Sequence, residues 1–240
     1  MKLCFTSQTD TGIVRSVNQD YYYIDPEGCF FIVADGMGGH AGGQDASQIA
    51  TNTIKAYLEQ YWDDSYSSGD LLTNAITEAN KEILKDQYNH PERGDMGTTA
   101  VVLLFRQEQQ WCAHIGDSRL YLLRGELNQI TEDHTWVARA LKSGDITAEQ
   151  ARFHPGRHVL SQCLGRKDLQ LPSLQHLELQ VGDILLLCSD GLTEEVPDEQ
   201  IQDYLQSSSS CEEKAAQLIE GAKKAGGSDN ITVVLVALLG

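Results

Sequence analysis

Along most of its length the chain alternates between short apolar runs and polar, turn-forming stretches. Apolar or period-two runs predict strands at about residues 2–7, 20–25, 29–35, 98–105, 110–116, 118–124, 126–131, 173–179, 183–189 and 231–239. Several neighbours are joined tightly enough for hairpins, through RQEQQ at 106–110 and RGE around Gly125, so antiparallel pairing should dominate. Helical spacing appears in two consecutive blocks: Ala46, Ile49, Ala50, Ile54, Tyr57, Leu58 and Tyr61, then Leu72, Ala75, Ile76, Ala79 and Ile83. Two helices in a row rule out a simple βαβ alternation. Another helix starts at SCEE, where Ser210 and Glu213 form a capping box, and runs through Ala216, Ile219 and Ala222. Paired helices around hairpin-forming strands mean sheets covered by helices, an α+β sandwich. No internal repeat is visible, and SSSS at 207–210 reads as a loop.

With 240 residues, 41% of them hydrophobic, the chain can bury one large core, so a single domain over 1–240 is expected. A net charge of −17 argues against nucleic acid or an anionic membrane as the main partner. The N-terminal MKLCFTSQT has too short an apolar stretch for a signal peptide, and the longest apolar run, ITVVLVALL, is about half a membrane span. Six cysteines, at 4, 29, 112, 163, 188 and 211, include no CxxC pair, and Cys112 and Cys188 sit inside apolar strands as small hydrophobes. A cytoplasmic, monomeric protein is expected. Residues 133–167 stand apart, with six basic side chains (Arg139, Lys142, Arg152, Arg157, Arg166, Lys167) against three acids, and three histidines, His134, His154 and His158. An inserted basic element of this kind beside an acidic site is where an anionic substrate would be gripped.

Aspartates supply the candidate chemistry. Asp35 ends FFIVAD, Asp117 ends WCAHIGD, Asp190 ends ILLLCSD, and Asp229 precedes ITVVLVALL; Asp20 closes RSVNQD before YYYI. One such residue alone is an ordinary turn former. Five at the rim of an apolar sheet are different, because two carboxylates about 4 Å apart repel by roughly 4 kcal/mol at an effective dielectric of 20. Such a cluster takes up protons or a cation. The donors are all oxygens, with no Cys or His at chelating spacing, which selects Mg²⁺ or Mn²⁺ over Zn²⁺ or copper. ADGMGGHA also imitates the dinucleotide fingerprint through Gly36, Gly38 and Ala41, offering a nucleotide-binding alternative on the loop 36–43. That alternative lacks the second parallel strand and its acid about 20 residues on, and Asp35 would meet a pyrophosphate head-on.

Taken in order, RSVNQD, ADGMGGHAGG, MGTTAVV, HIGDSRLY, CSDGLTEE and GGSDNITVV resemble the motif series of the type 2C metal-dependent Ser/Thr protein phosphatases, in their compact bacterial form, from residue 9 to 236. The resemblance implies a β-sandwich of two antiparallel sheets flanked by helices, in four α/β/β/α layers with a flap at 133–167. It also implies hydrolysis of phosphoserine and phosphothreonine in proteins, with phosphotyrosine left open, by water activated between two metal ions. By the same resemblance Asp35 and the Gly36 carbonyl, with Asp190 and Asp229, would hold the two ions, and Asp20 would act through water. Asp117 with Asp190 would form a third site, and Arg15 would hold the substrate phosphate. Gly97, Thr98 and Thr99 read as structural, and His114 as a packing or hydrogen-bonding residue. Two departures stand out: Gln19 replaces the Glu of many relatives, and Met37 stands where animal members carry a histidine proposed as general acid. His40 is the nearest substitute acid. A catalytically weak phosphoprotein-binding regulator is the remaining alternative, against which the complete set Asp35, Asp190 and Asp229 argues.

Overall fold

The computed structural model describes residues 2–39, 42–152 and 154–240, and two antiparallel sheets form its centre. The first runs in the order β1 (Lys2–Asp10), β11 (Ile231–Leu239), β10 (Ile184–Cys188), β7 (Arg119–Arg124), β8 (Glu126–Gln129). The second runs β2 (Asp20–Ile24), β3 (Phe30–Met37), β5 (Ala100–Arg106), β6 (Gln109–Ile115), β9 (Ser173–Leu177), with the short β4 (Gly97–Thr98) on β3. Helices α1 (Gly42–Gln60) and α2 (Ser68–Asn89) cover the second sheet; α5 (Asp190–Thr193), α6 (Asp198–Gln206) and α7 (Cys211–Ala225) cover the first. The shorter α3 (Trp136–Ser143) and α4 (Ala148–Arg152) lie in the segment between β8 and β9.

Strand alternation builds the four layers. Phe31, Val33, Val101 and Leu103 point between the sheets and meet Leu185, Leu187, Val234 and Val236. Their neighbours Phe30, Ile32, Val102 and Leu104 turn outward under α1 and α2, and Leu186, Val233 and Leu235 turn outward under α7. Because both faces of the central strands are buried, they read in the sequence as continuous apolar runs. Each fully buried aliphatic or aromatic side chain contributes about 1.5–3 kcal/mol, so these strands dominate the stability.

The expected strands are present, with β1 extended to Asp10 and β3 extended to Met37 through its pairing with β4. Arg106 pairs with Gln109 across a two-residue turn in which Gln107 and Glu108 adopt φ of +52° and +60°, the mirror-image geometry that hairpins favour. The Ser210–Glu213 capping box is formed. Helix α6 escapes the periodicity reading because only Ile201 and Leu205 are buried on it, although Pro197 and the acidic first turn mark its start. Strand β3 pairs with β5 antiparallel, Phe30 opposite Leu104 and Val33 opposite Val101, so the parallel crossover that a dinucleotide site needs is lacking. Among the described residues no helix is long and apolar enough to cross a membrane.

Topology gathers the aspartate-bearing turns. Asp20 opens β2 directly opposite Asp35 on β3. Asp190 follows β10 and Asp229 precedes β11, two strands paired antiparallel with Cys188 opposite Val233. Asp117 lies in the turn from β6 to β7. All five reach the same end of the sandwich.

Candidate metal centre

Backbone contacts set each carboxylate. The Asp35 N–H donates to Thr99 Oγ1 (2.9 Å), and its carbonyl accepts from the Thr99 N–H (2.9 Å) and the Thr98 hydroxyl (2.7 Å). Both threonines are buried, as their structural reading requires. Thr99 Oγ1 also lies 2.6 Å from Ser118 Oγ, linking Asp35 to the turn that carries Asp117. In that turn Gly116 has φ +100°, and a Cβ there would come within 2.5 Å of Thr99 Cγ2, so only glycine fits. The Gly116 N–H donates to His134 Nδ1 (3.1 Å), and His134 stacks on His114 with ring centroids 4.7 Å apart. His114 is buried and lies 2.9 Å from the Glu132 carbonyl through Nε2, in the packing and hydrogen-bonding role expected of it.

Asp190 opens α5, and Ser189 just before it joins the two sheets. The Ser189 hydroxyl donates to Asp20 Oδ2 (2.7 Å) and accepts from the Thr232 N–H (3.0 Å). Asn230 plays the matching part beside Asp229: its Oδ1 accepts from the Gln19 N–H (2.8 Å), and its amide donates to the carbonyls of Thr11 (2.9 Å) and Val17 (3.0 Å). The loop carrying Arg15 and Gln19 is thereby tied to the turn that carries Asp229. Arg15, although half exposed, is placed on the cluster, with its guanidinium 2.6 Å from Asp229 Oδ2. Among the described residues it is the only basic side chain ion-paired to any of the five aspartates.

Burial pushes Asp35 and Asp117 well above the ordinary carboxylate range, reinforced by Asp20 and Asp190 for Asp35 and by Asp190 and Asp133 for Asp117. Asp190 is raised by burial and by Asp229. Asp20 is pushed up to about 7 by burial, against the hydrogen bonds from Ser189 and Thr232 that favour its charged form. Asp20 Oδ1 and Asp190 Oδ1 are buried and accept no hydrogen bond. A buried carboxylate oxygen without a donor needs a proton or a cation. Oxygen-rich, mutually repelling and short of donors, this set fits divalent cations.

Gly36 is buried, and a Cβ on it would lie 2.0 Å from the Gly43 carbonyl oxygen and 2.6 Å from that of Gln19. Close packing of β3 against the first turn of α1 therefore demands glycine here, independently of any approach of its carbonyl to an ion. His40 lies outside the described residues. A nitrogen also lies beside the oxygen donors: His158 meets the Glu194 carboxylate, and donor atoms of His158, Asp190 and Glu194 all lie within 4.8 Å of one another. Spacing could not reveal this, since the segment between β8 and β9 folds back over the cluster. Ser189, Asn230 and Ser118 also went unnoticed in the sequence reading; Ser and Asn beside an aspartate at a strand end were the available signal. Of the basic residues at 133–167, Lys142 is tied to Glu132 (2.7 Å) and Arg166 to Asp168 (2.8 Å).

Known proteins carry the same architecture. A family model for protein phosphatase 2C matches residues 12–230. The serine/threonine protein phosphatase PstP of Mycobacterium tuberculosis is 41% identical over 237 residues, which cover 97% of this chain and 44% of PstP. The chain thus spans less than half of PstP, whereas the protein phosphatase PhpP of Streptococcus pneumoniae, 39% identical over 235 residues, is covered to 95%. A crystal structure of the catalytic domain of PstP in complex with two manganese ions superposes with a TM-score of 0.87 at 38% identity, over 99% of each chain. With the fold, the match over residues 12–230 and these identities in agreement, the chain belongs to the protein phosphatase 2C family.

Proposed function

We propose that this chain is a divalent-metal-dependent phosphatase acting on phosphoserine and phosphothreonine in proteins. One observation carries the reading: five aspartates from separate turns converge at one end of the sandwich, with buried carboxylate oxygens that lack donors and with Arg15 at their edge. Its relatives' activity supports it, as do the two manganese ions bound by the PstP catalytic domain. Asp35, Asp190 and Asp229, with the Gly36 carbonyl, would hold two ions, Mn²⁺ or Mg²⁺; Asp20 would support one of them, and Asp117 with Asp190 would hold a third. When bound, such a pair supplies a water nucleophile at neutral pH and offsets charge on the phosphoryl oxygens. No side-chain nucleophile is needed.

Arg15 holds the substrate phosphate by its fork of N–H donors, a geometry that lysine cannot copy. Its guanidinium lies 2.6 Å from Oδ2 of Asp229, a proposed metal ligand, which places it at the edge of the cluster where the phosphate would sit. Asp20 stays close to the cluster through Ser189, which fixes its orientation. Protonation of the departing serine or threonine oxygen falls to His40, since Met37 cannot donate a proton. The flap at 133–167 would contact the protein part of the substrate. The free cysteines suit a reducing compartment, in keeping with a cytoplasmic enzyme.

The deciding experiment incubates purified protein with phosphoserine and phosphothreonine peptides in Mn²⁺ or Mg²⁺, with and without chelator. Metal-dependent phosphate release, abolished in Asp190→Ala, is expected. Tight peptide binding with no release would establish the phosphoprotein-binding alternative. If His40 is the acid, His40→Ala lowers phosphoserine turnover by roughly 10²–10⁴ while sparing an aryl phosphate, whose leaving group needs little help. Equal peptide rates in mutant and parent would remove His40 from the reaction.

A further inference from the structure

A groove of about 860 Å³ opens beside the cluster, bordered by Asp117 and Asp190 and roofed by α3. That volume falls within the range of roughly 300–1,000 Å³ typical of ligand sites. One wall is apolar: Val137 and Leu141 of α3 face it, and Leu141 remains 41% exposed. The groove is also lined by Glu194 and Glu195, which follow α5.

The charged side chains along the groove set its character. Arg119 and Lys142 line it, but each is already claimed, Arg119 by Asp133 (2.7 Å) and Lys142 by Glu132 (2.7 Å). Arg157 is left to balance two glutamates. Glu194 already meets His158. Glu195 accepts from the Ser228 N–H (2.9 Å) and hydroxyl (2.5 Å) and has no basic partner among the described residues. An acidic side chain entering here would face Glu194, Glu195 and the aspartate cluster. A purely aliphatic one would satisfy only the α3 wall. A lysine or arginine matches both, laying its methylene stem along Val137 and Leu141 while its head reaches the glutamates.

We infer that this groove is a specificity subsite for a lysine or arginine side chain flanking the phosphoresidue of a protein substrate. The inference rests on the phosphatase reading above. Because the groove borders Asp117 and Asp190, the cationic residue lies within one or two positions of the phosphoresidue, at about 3.3–3.6 Å of extended chain per residue. The flap brings Lys142 and Arg157 to the groove, but Lys142 is held by Glu132 and Arg157 is offset by Glu194, so the basic flap does not make it a site for acidic peptides.

The test uses the full chain with Mn²⁺ and phosphothreonine peptides identical except for one flanking residue, which is arginine, norleucine, alanine or glutamate. An aryl phosphate runs alongside. The arginine peptide should exceed the glutamate peptide in kcat/KM by roughly tenfold, the scale of one hydrogen bond to a charged group. Glu195→Gln should bring that ratio close to one, and Glu195→Lys should reverse it, a gain that misfolding cannot mimic. Leu141→Ser should lower kcat/KM for the arginine and norleucine peptides relative to alanine. Equal kcat/KM across the series, a preference for glutamate, or an unchanged ratio in both Glu195 variants would overturn the subsite. No release from any peptide or from the aryl phosphate would instead overturn the phosphatase reading.

Discussion

Ser189 carries more of the metal centre than its size suggests, since one hydroxyl serves Asp20 from one sheet and the Thr232 N–H from the other. Replacing Ser189 by Ala strands a buried acceptor and a buried donor, at a cost of about 1–3 kcal/mol in stability. Because Asp20 loses its orientation, divalent-ion affinity should also fall, by the roughly 10–100-fold typical of residues that support metal ligands. Denaturant unfolding and calorimetry read the two effects separately. Asp117 offers the contrasting case, in the turn from β6 to β7 and beside Asp190 at the groove. Asp117→Ala should leave two ions bound in a calorimetric titration while slowing turnover; full activity would exclude a functional third ion.

Single residues also decide how whole elements hold their place. Helix α3 is capped by Thr135, whose hydroxyl accepts from the Ala138 N–H (3.1 Å), and it ends at Gly144 in the left-handed conformation. Thr135→Ala should cost about 1 kcal/mol of helix stability. Since α3 buries only Ala140, the loss should appear as faster hydrogen exchange in α3, and weaker discrimination among peptides, with little change in the melting of the sandwich. Arg106 works at the opposite end of that range. It is buried and donates to the carbonyls of Trp62 (2.8 Å), Asp64 (2.8 Å) and Tyr66 (2.9 Å), pinning the α1–α2 connection to β5 with no carboxylate partner among the described residues. Arg106→Met should destabilise the protein by about 3 kcal/mol, because three carbonyls lose a charged donor together. The denaturant midpoint measures it.

At the scale of the molecule the cluster couples folding to protons and to metal. Asp20, at about 7 against an ordinary 3.8, with Asp35, Asp117 and Asp190 raised too, binds protons more tightly in the folded than in the unfolded chain. Between about pH 4 and 7 the metal-free protein therefore loses stability as pH rises, by roughly 1.4 kcal/mol per pH unit for each proton of difference. His134, lowered to about 4 by burial and by His114, and His114 itself, lowered by burial, pull the other way below their ordinary 6.5, but the raised carboxylates, with Glu194 at about 7 among them, outnumber the two histidines. Melting temperature in chelator should fall from pH 5 to pH 7.5. Millimolar Mn²⁺ should restore it, by about 2.7 kcal/mol when the metal is 100 times its dissociation constant. General repulsion from the net charge of −17 acts in the same direction but yields to sodium chloride, so recovery by salt alone would clear the cluster of responsibility.

Local pattern was enough for the strands, the two consecutive helices and the Ser210–Glu213 cap, because side-chain period and end chemistry are properties of neighbouring residues. It was also enough to single out five aspartates at strand ends, and the order of the motifs pointed to the family. What those aspartates do together was decided only in three dimensions. Asp20 and Ser189 are 169 residues apart, and no local period relates them; antiparallel sheet order brings them to hydrogen-bond distance. Gly36 reads in the sequence as a place for an ion and in the fold as a place where two backbones touch. Helix α6 and the meeting of His158 with Glu194 were hidden for the same reason. They depend on which surfaces are left for a segment to cover once the two sheets have packed, and a sequence records its own spacing but not the surface it will meet.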